Sequence, residues 1–598
     1  MRRFILCLFF LLLTTQKSYA SFPKDWQKLM HYEQNNQNYT SLIETKSYFL
    51  TPNGRFDPNA EYNAHITAFK DPNNTTKCTF PARFLYLKSK GQAKGDLSSC
   101  KDYQQYLNDL QPKAITMLFT NAYMSNPSSL FGHTLFRIDT MRSSAQLLAH
   151  GANFGADTGD DQGVLYALKG LYGGYYGTFG IKPYYDVINL YNNIENRDIW
   201  EYELNLTKEE QELFVALIWE LKEAKIRYYF FTQNCSYLLL SMLEATRPTL
   251  NLTSKFNLHA IPLSTLKEIN SQNLIKNTTY RPSRQSKLQH RYRQMTNKQK
   301  KAFVDIIQNN HIDLSDLKTN EQADVLETAY QYIQYLYVEQ KLELKEYRQK
   351  SFKLLTQRSQ ITDTNLYFED LKTGENPIYS HQESALSLLL GTKNGNHFQE
   401  LSLKPAYTSL LDNSYGLLKG AEINLLETKL RHYDIKDHYT LEALDILSIK
   451  SINGKDVMFS PFSYDIQFGL KQIFNPKTTK DSLALTLKTG IGEAYNLTHS
   501  AKLYVMTVPN ITYGGGIKEN GYLGFGLRAG LYYNNENFRF NTYAEQNYTT
   551  SSIYTSATYT LEASYSLSQN LNLYTSYTHQ DTSYHSNKET TFGLKLNF

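Results

Sequence analysis

The C-terminal part of the chain alternates apolar and polar residues with a period of two. Apolar side chains stand at Tyr464, Ile466, Phe468 and Leu470, and again at Leu523, Phe525, Leu527, Ala529 and Leu531. The same beat runs through Tyr559, Leu561, Ala563, Tyr565 and Leu567, and closes the chain at Phe592, Leu594, Leu596 and Phe598. Turn-rich breaks such as Asn534-Asn535-Glu536-Asn537 separate the runs. Successive side chains of a strand point to opposite faces, so each run predicts a strand with one apolar and one polar face. Alternating segments of about ten residues mark a transmembrane β-barrel. The spacing predicts about twelve antiparallel strands over residues 381–598. An even number returns both barrel ends to one side, the periplasm, and places everything before residue 380 there. The competing reading of the same alternation is a soluble sandwich or a lipocalin-like barrel.

Upstream the period changes. Residues 207–225 read as an amphipathic helix, with Thr207 as N-cap, Glu210 completing a capping box, and Leu213, Leu217 and Leu221 on the apolar face. A second helical pattern starts at Ser236, runs through Leu239, Leu240 and Leu243, and stops before Pro248. Residues 115–119, 131–138 and 146–154 are strand-like. Residues 281–380 form a helical connector, with Val325, Ala329, Ile333 and Leu336 on one side. At the N-terminus, Arg2 and Arg3 precede an apolar run over residues 4–13 and a small-residue site, Ser18-Tyr19-Ala20. That is the form of a secretory signal over residues 1–20, too short to span a bilayer. Residues 21–77 then make an accessory, mostly helical segment, and residues 78–280 an α+β domain that carries the candidate chemistry.

Forty-eight tyrosines and 31 phenylalanines suit the aromatic girdles of a membrane barrel. A net charge of +5, with no nucleic-acid-binding motif, argues against nucleic acid as a partner. The basic run over residues 281–301, free of acidic side chains, reads as a solvated linker in preference to a headgroup contact. Of the four cysteines, Cys7 lies in the leader. In an oxidising compartment Cys78 and Cys100, close in sequence, are the pair expected to bond, contributing roughly 3 kcal/mol in the chain-entropy model. That leaves Cys235 as a lone thiol.

Cys235 follows Asn234, a good N-cap, and so opens a helix, where the first-turn amides and the macrodipole favour a thiolate. The Asn234–Ser236 turn would support an oxyanion. About a hundred residues earlier, Asn126-Pro127-Ser128-Ser129-Leu130-Phe131-Gly132-His133-Thr134 puts an imidazole at the start of a strand. His133 is the candidate general base, with His150 or Asn153 on the following strand as its orienting partner. The 14 histidines show no His-Glu-x-x-His spacing and the cysteines no Cys-x-x-Cys, so neither a metal nor another cofactor is implied.

These residues carry a resemblance. The stretch from about Cys78 to Pro248 resembles the Lnb N-terminal periplasmic domain family in the His133 and Asn234-Cys235-Ser236-Tyr237 motifs. Phe80-Pro81-Ala82-Arg83, Gly170-Leu171-Tyr172-Gly173-Gly174-Tyr175 and Arg197-Asp198-Ile199-Trp200-Glu201-Tyr202 are its further landmarks. The resemblance implies a permuted papain-like α+β fold, histidine before cysteine, with Cys235 as nucleophile and His133 as base. It also implies lipoprotein N-acyltransferase chemistry: a phospholipid acyl donor, a thioester on Cys235, and a lipoprotein amine as acceptor. The barrel is a departure from Lnb proper and leaves the acceptor open. Two rivals share the chain: a papain-like peptidoglycan peptidase using the same pair, and a non-enzymatic outer-membrane channel or assembly protein.

Overall fold

The computed structural model describes residues 22–598 other than 37, 123–129, 143–144, 162, 363–369, 436, 476–479, 515–516 and 518–519. The signal peptide and the Asn126–Ser129 part of the histidine motif lie outside the described residues. The chain forms two compact units: Met1–Lys113 with Asn153–Gly180 and Leu206–Leu258, and Ala114–Ala152 with Ile181–Asn205 and His259–Phe598.

In the first unit the helix Lys208–Leu221 begins with the expected capping box, Thr207 and Glu210 each accepting the other's amide. It buries Phe214, Val215, Leu217, Ile218 and Leu221 and packs on the helix Pro81–Ser89. Glu220 caps that neighbour by accepting from the amides of Ala82 and Arg83 at 2.7 and 3.1 Å. Arg83 is fully buried, its guanidinium 4.0 Å from each of the Tyr48 and Phe80 rings and its Nε 3.0 Å from Glu220. The Phe-Pro-Ala-Arg landmark is thus a structural knot. The Cys78–Cys100 disulfide forms beside it, and the Trp219 indole donates to the Cys78 carbonyl.

In the second unit the strand Pro112–Thr120 pairs antiparallel with Ile199–Leu204, and Ile275–Arg281 pairs with the outer edge of the latter. The strand His133–Thr140 pairs with the start of His150–Asp157. Buried Arg137 reaches Glu201 and Asp139, and Glu201 also accepts from Tyr184 and Arg281. Four connector helices, Arg284–Gln294, Asn297–Asn309, Thr319–Val338 and Leu344–Ser359, share an apolar core that includes Phe303, Val325 and Ile333. Met458 and Phe459, from a turn of the following sheet, enter that core, and Tyr332 donates to the Met458 carbonyl at 2.9 Å.

Twelve long antiparallel strands, from Ala385–Lys393 to Ser586–Asn597, close on themselves. The first pairs with the last, Leu388 opposite Leu594 and Leu390 opposite Phe592. It also pairs with Asn396–Lys404, which in turn meets Ala421–Tyr433. The alternation is inside out. On the strand Gly521–Asn534, Leu523, Phe525 and Leu527 are more than half exposed, while Arg528 is 2 % exposed and faces the lumen. A soluble sandwich would bury the leucines. An apolar exterior around a charged interior is a membrane-spanning barrel.

Chain connections on the two rims differ. On the far rim, strands are joined by 394–395, 434–437, 476–479, 514–520, 550–555 and 583–585. On the rim that carries both barrel ends, the connections include 405–420 and 452–462. The former enters the lumen. Asp412 is paired with Lys404 at 2.7 Å and Lys595 at 2.6 Å. Leu410 packs among Ile452, Tyr504, Met506, Val508 and Tyr532. The Leu410 and Leu411 carbonyls accept from Tyr532 and Ser564 at 3.3 and 2.6 Å. Beyond this plug Arg431 is paired with Glu400 and Glu589, and Arg528 with Asp465 and Glu545. Two cavities of about 320 and 340 Å³ remain among these charges.

Candidate functional site

The helix Cys235–Thr246 starts where Asn234 leaves extended backbone (φ −99°, ψ −171°). The Asn234 Oδ1 accepts from the amides of Ser236 and Tyr237 at 3.0 and 3.2 Å, and its Nδ2 donates to the Phe230 carbonyl at 3.0 Å. Asn234 therefore braces the turn from both sides. The Ser236 amide, in the turn expected to support an oxyanion, is engaged by this cap together with that of Tyr237. Cys235 is the described cysteine outside the disulfide, 4 % exposed, its Sγ 3.8 Å from Ser236 Oγ.

The Cys235 amide points to the Tyr228 hydroxyl at 3.3 Å. Burial, and then the adjacent Cys235, hold the Tyr228 phenol well above the ordinary tyrosine range. Tyr228 is neutral at any physiological pH and keeps a proton to donate beside the thiol. Nothing in the sequence reading singled it out, because it lay within an aromatic run, Tyr228-Tyr229-Phe230-Phe231. Only the strand Ile226–Tyr228 fixes which of the four turns toward Cys235.

The aromatic run is wrapped closely. Phe154 stacks on Tyr228 (5.7 Å, 17°), and Tyr166 meets Phe230 at 4.9 Å. The glycine-rich stretch 170–180, open between a flap and a surface loop, is instead the end of the helix Gly163–Tyr172 and the strand Tyr175–Pro183. Its glycines admit the aromatic rings. A Cβ on Gly170 would stand 2.4 Å from Phe230, and one on Gly177 2.2 Å from Phe154.

His133 opens its strand in the second unit after Gly132, whose φ of +86° and close approach to the Thr120 carbonyl admit no side chain. Its ring lies 5.7 Å from that of Tyr191. His150 pairs with Ile138, five residues along from His133, so His133 and His150 point to opposite sheet faces. Asn153, three residues after His150, points away from the His150 face in turn. Arg197 donates to the carbonyls of Asn121 and Thr120, which holds the strand end that leads into the histidine motif. Among the described residues no group of three or more His, Cys, Asp or Glu side chains is placed to hold a metal ion.

Residues 102–272 match the family model of the Lnb N-terminal periplasmic domain. Residues 21–90, 278–367 and 374–596 match three models each described as a domain of unknown function. Among solved structures the chain is similar to the KdgM porin, with 12 % identity over 36 % of this chain and 99 % of that one (TM-score 0.23). It is likewise similar to the NanC porin, with 10 % identity over 36 % and 100 % (TM-score 0.23). The third is OmpT of Vibrio cholerae, with 8 % identity over 36 % and 97 % (TM-score 0.19). No curated protein matches the chain. With a closed twelve-strand barrel turned apolar side out and a periplasmic-domain match before it, this is an outer-membrane protein whose N-terminal domain lies in the periplasm.

Proposed function

We propose that this protein is an outer-membrane-tethered cysteine acyltransferase. It takes an acyl chain from a phospholipid onto Cys235 and passes it to an amine, the N-terminus of a lipoprotein being the acceptor class. The observation that carries the reading is the setting of Cys235: a buried thiol outside the disulfide at a helix N-terminus, its amide donating to a neutral phenol beside it. His133 is its base, histidine before cysteine in the order of a permuted papain-like enzyme. Asn153 is the orienting partner favoured over His150, which shares a face with Ile138 instead.

In the proposed reaction His133 takes the thiol proton and the thiolate attacks the ester carbonyl. The oxyanion is received by the Tyr228 hydroxyl, which the Cys235 amide polarises by donating to it. Collapse breaks the ester bond, His133 returns the proton to the departing lysophospholipid oxygen, and a thioester remains. The amine then attacks the thioester, losing its proton to His133, and the thiolate leaves as the amide forms. A peptidase would use the same residues on a stem peptide. The occupied lumen argues against the channel reading.

Intact mass of the full-length protein incubated with phospholipid vesicles tests this. An added fatty-acyl mass, labile to hydroxylamine and absent from Cys235→Ala, is expected. No adduct, with cleavage of peptidoglycan fragments, would move the assignment to the peptidase.

A further inference from the structure

The second unit exposes an apolar surface whose position has a chemical logic. The helix Tyr184–Ile188 continues into a π-helical turn, Asn189–Ile194, a local geometry found often at functional sites. Tyr184, Val187 and Ile188 face the core with Leu118, Leu135 and Ile199. The opposite side turns Tyr185, Leu190 and Ile194 to solvent, 53 %, 44 % and 44 % exposed. The short turn Gln146–Leu148 adjoins this helix, tied by the Tyr184 amide to the Ala149 carbonyl at 2.9 Å, and adds exposed Leu147 and Leu148.

A basic edge borders the patch. Arg281 donates to Gln146 at 3.0 Å, and Asn192 in the π-helical turn donates to the Arg281 carbonyl at 3.4 Å. One turn into the next helix stands Lys287, exposed at its surface, its pKa lowered by partial burial first and by the field of Arg281 next, with Asp370 opposing. Asp186 is an exposed acid on the helix itself. The same π-helical turn carries Tyr191, against the His133 ring. The unit that bears the patch also contains the barrel, and the two parts touch: Phe131 meets Tyr407 at 5.6 Å and Tyr202 donates to Asn376 at 2.7 Å.

Large aliphatic side chains with a tyrosine, edged by arginine and lysine, form the pattern of a surface that rests in a bilayer interface, apolar groups among acyl chains and cations at phosphates. A water-facing surface has no use for such clustering. We propose that this face docks on the phospholipid bilayer that the barrel spans, with Leu147, Leu148, Tyr185, Leu190 and Ile194 in the acyl region and Lys287 at the headgroups, Arg281 holding the edge together through Glu201 and Gln146. Resting on the acyltransferase reading, it is the place where a donor lipid is drawn out of the bilayer toward His133.

The test uses the full chain in proteoliposomes of phosphatidylethanolamine and phosphatidylglycerol, with Leu148→Trp, Leu190→Trp and, as an exposed polar control, Lys298→Trp. Each is compared in plain lipids and in lipids brominated on the acyl chains, after subtracting the native tryptophans. Emission from positions 148 and 190 is expected to fall about twofold or more in brominated lipid while that from 298 does not. Quenching at 148 and 190 no greater than at 298 overturns docking, and a protein partner would then have to cover the face. Cys235→Ala in the same backgrounds must leave the quenching intact. Quenching without an acyl-enzyme upholds docking and removes the enzymatic reading. An acyl-enzyme without quenching does the reverse.

Discussion

Asp412 is the latch of the barrel plug, and its removal gives a measurable outcome. Its carboxylate holds Lys404 at 2.7 Å, Lys595 at 2.6 Å and the Ser409 amide at 2.8 Å, inside a lumen where Lys404 is 1 % exposed. In Asp412→Asn the two ammonium groups keep their places and lose their counter-charge. Stranding a buried charge costs about 3–5 kcal/mol. Because both lysines project from barrel strands and Asp412 from the loop, that cost falls on the docked state of the loop. At 1.4 kcal/mol per tenfold, the population with the loop displaced rises by roughly 10²-fold to several thousandfold. The assay is conductance across planar bilayers. Wild-type protein should pass no steady current, because each remaining cavity, at about 320–340 Å³, holds on the order of ten waters and is hemmed by paired charges. Replacing residues 409–415 by a glycine-serine linker should give a steady conductance. Asp412→Asn should give openings at a raised frequency, and Asp412→Glu should restore closure. A wild-type protein that conducts like the loop replacement would refute the plug. A loop replacement that conducts while Asp412→Asn stays silent would refute the latch.

Three further outcomes follow from the periplasmic part. Tyr228→Phe should slow acyl-enzyme formation about 10²-fold while leaving Cys235 reactive to small alkylating reagents, the mark of a lost oxyanion donor, read by quenched-flow mass spectrometry. Arg83→Met leaves Glu220 buried without its cation, so it should lower the stability of the full chain in detergent by about 3–5 kcal/mol, seen as a drop in the urea midpoint of the tryptophan signal. His31 is buried against Ser241, and burial, with Arg83 second, lowers its pKa to about 4. Between that value and 6.5 the unfolded chain binds the extra proton, so stability falls as pH drops through this window, by roughly 3 kcal/mol when complete, and His65, lowered in the same way, adds to the slope. A thermal melt series should show the loss, and His31→Gln should flatten it.

The barrel was legible because a membrane imposes a strict rule: every second residue meets lipid, and Leu523, Phe525 and Leu527 obey it. The capped helix after Thr207 and the Asn234 cap were legible for an equally local reason, since a side chain three residues away satisfies the amide. What the sequence concealed depends on long-range approach. Tyr228 gains its meaning from an amide seven residues on, which three residues of strand bring near. The glycines at 170 and 177 read as looseness, yet they are required by rings of Phe230 and Phe154 that no local pattern announces. After the short strand Ala406–Thr408 the plug has no periodicity, because residues 409–415 are held by single contacts to side chains from as far away as Lys595. His150 and Asn153 were indistinguishable until the pairing of His150 with Ile138 gave each a face.

The two rims of the barrel also distribute chain in an order opposite to that of most bacterial barrels, whose outer loops are the longer ones. Here the outward connections span two to seven residues, and the sixteen-residue segment 405–420 lies on the periplasmic rim. Toward the world outside the cell the protein puts few residues between successive strands, little for an antibody, a phage tail fibre or a foraged ligand to grip. Two of these connections turn inward, Ile517 and Tyr554 burying against Ala484 of the barrel wall, so change is cheapest at the others. The other outer connections are the natural place to insert an epitope tag.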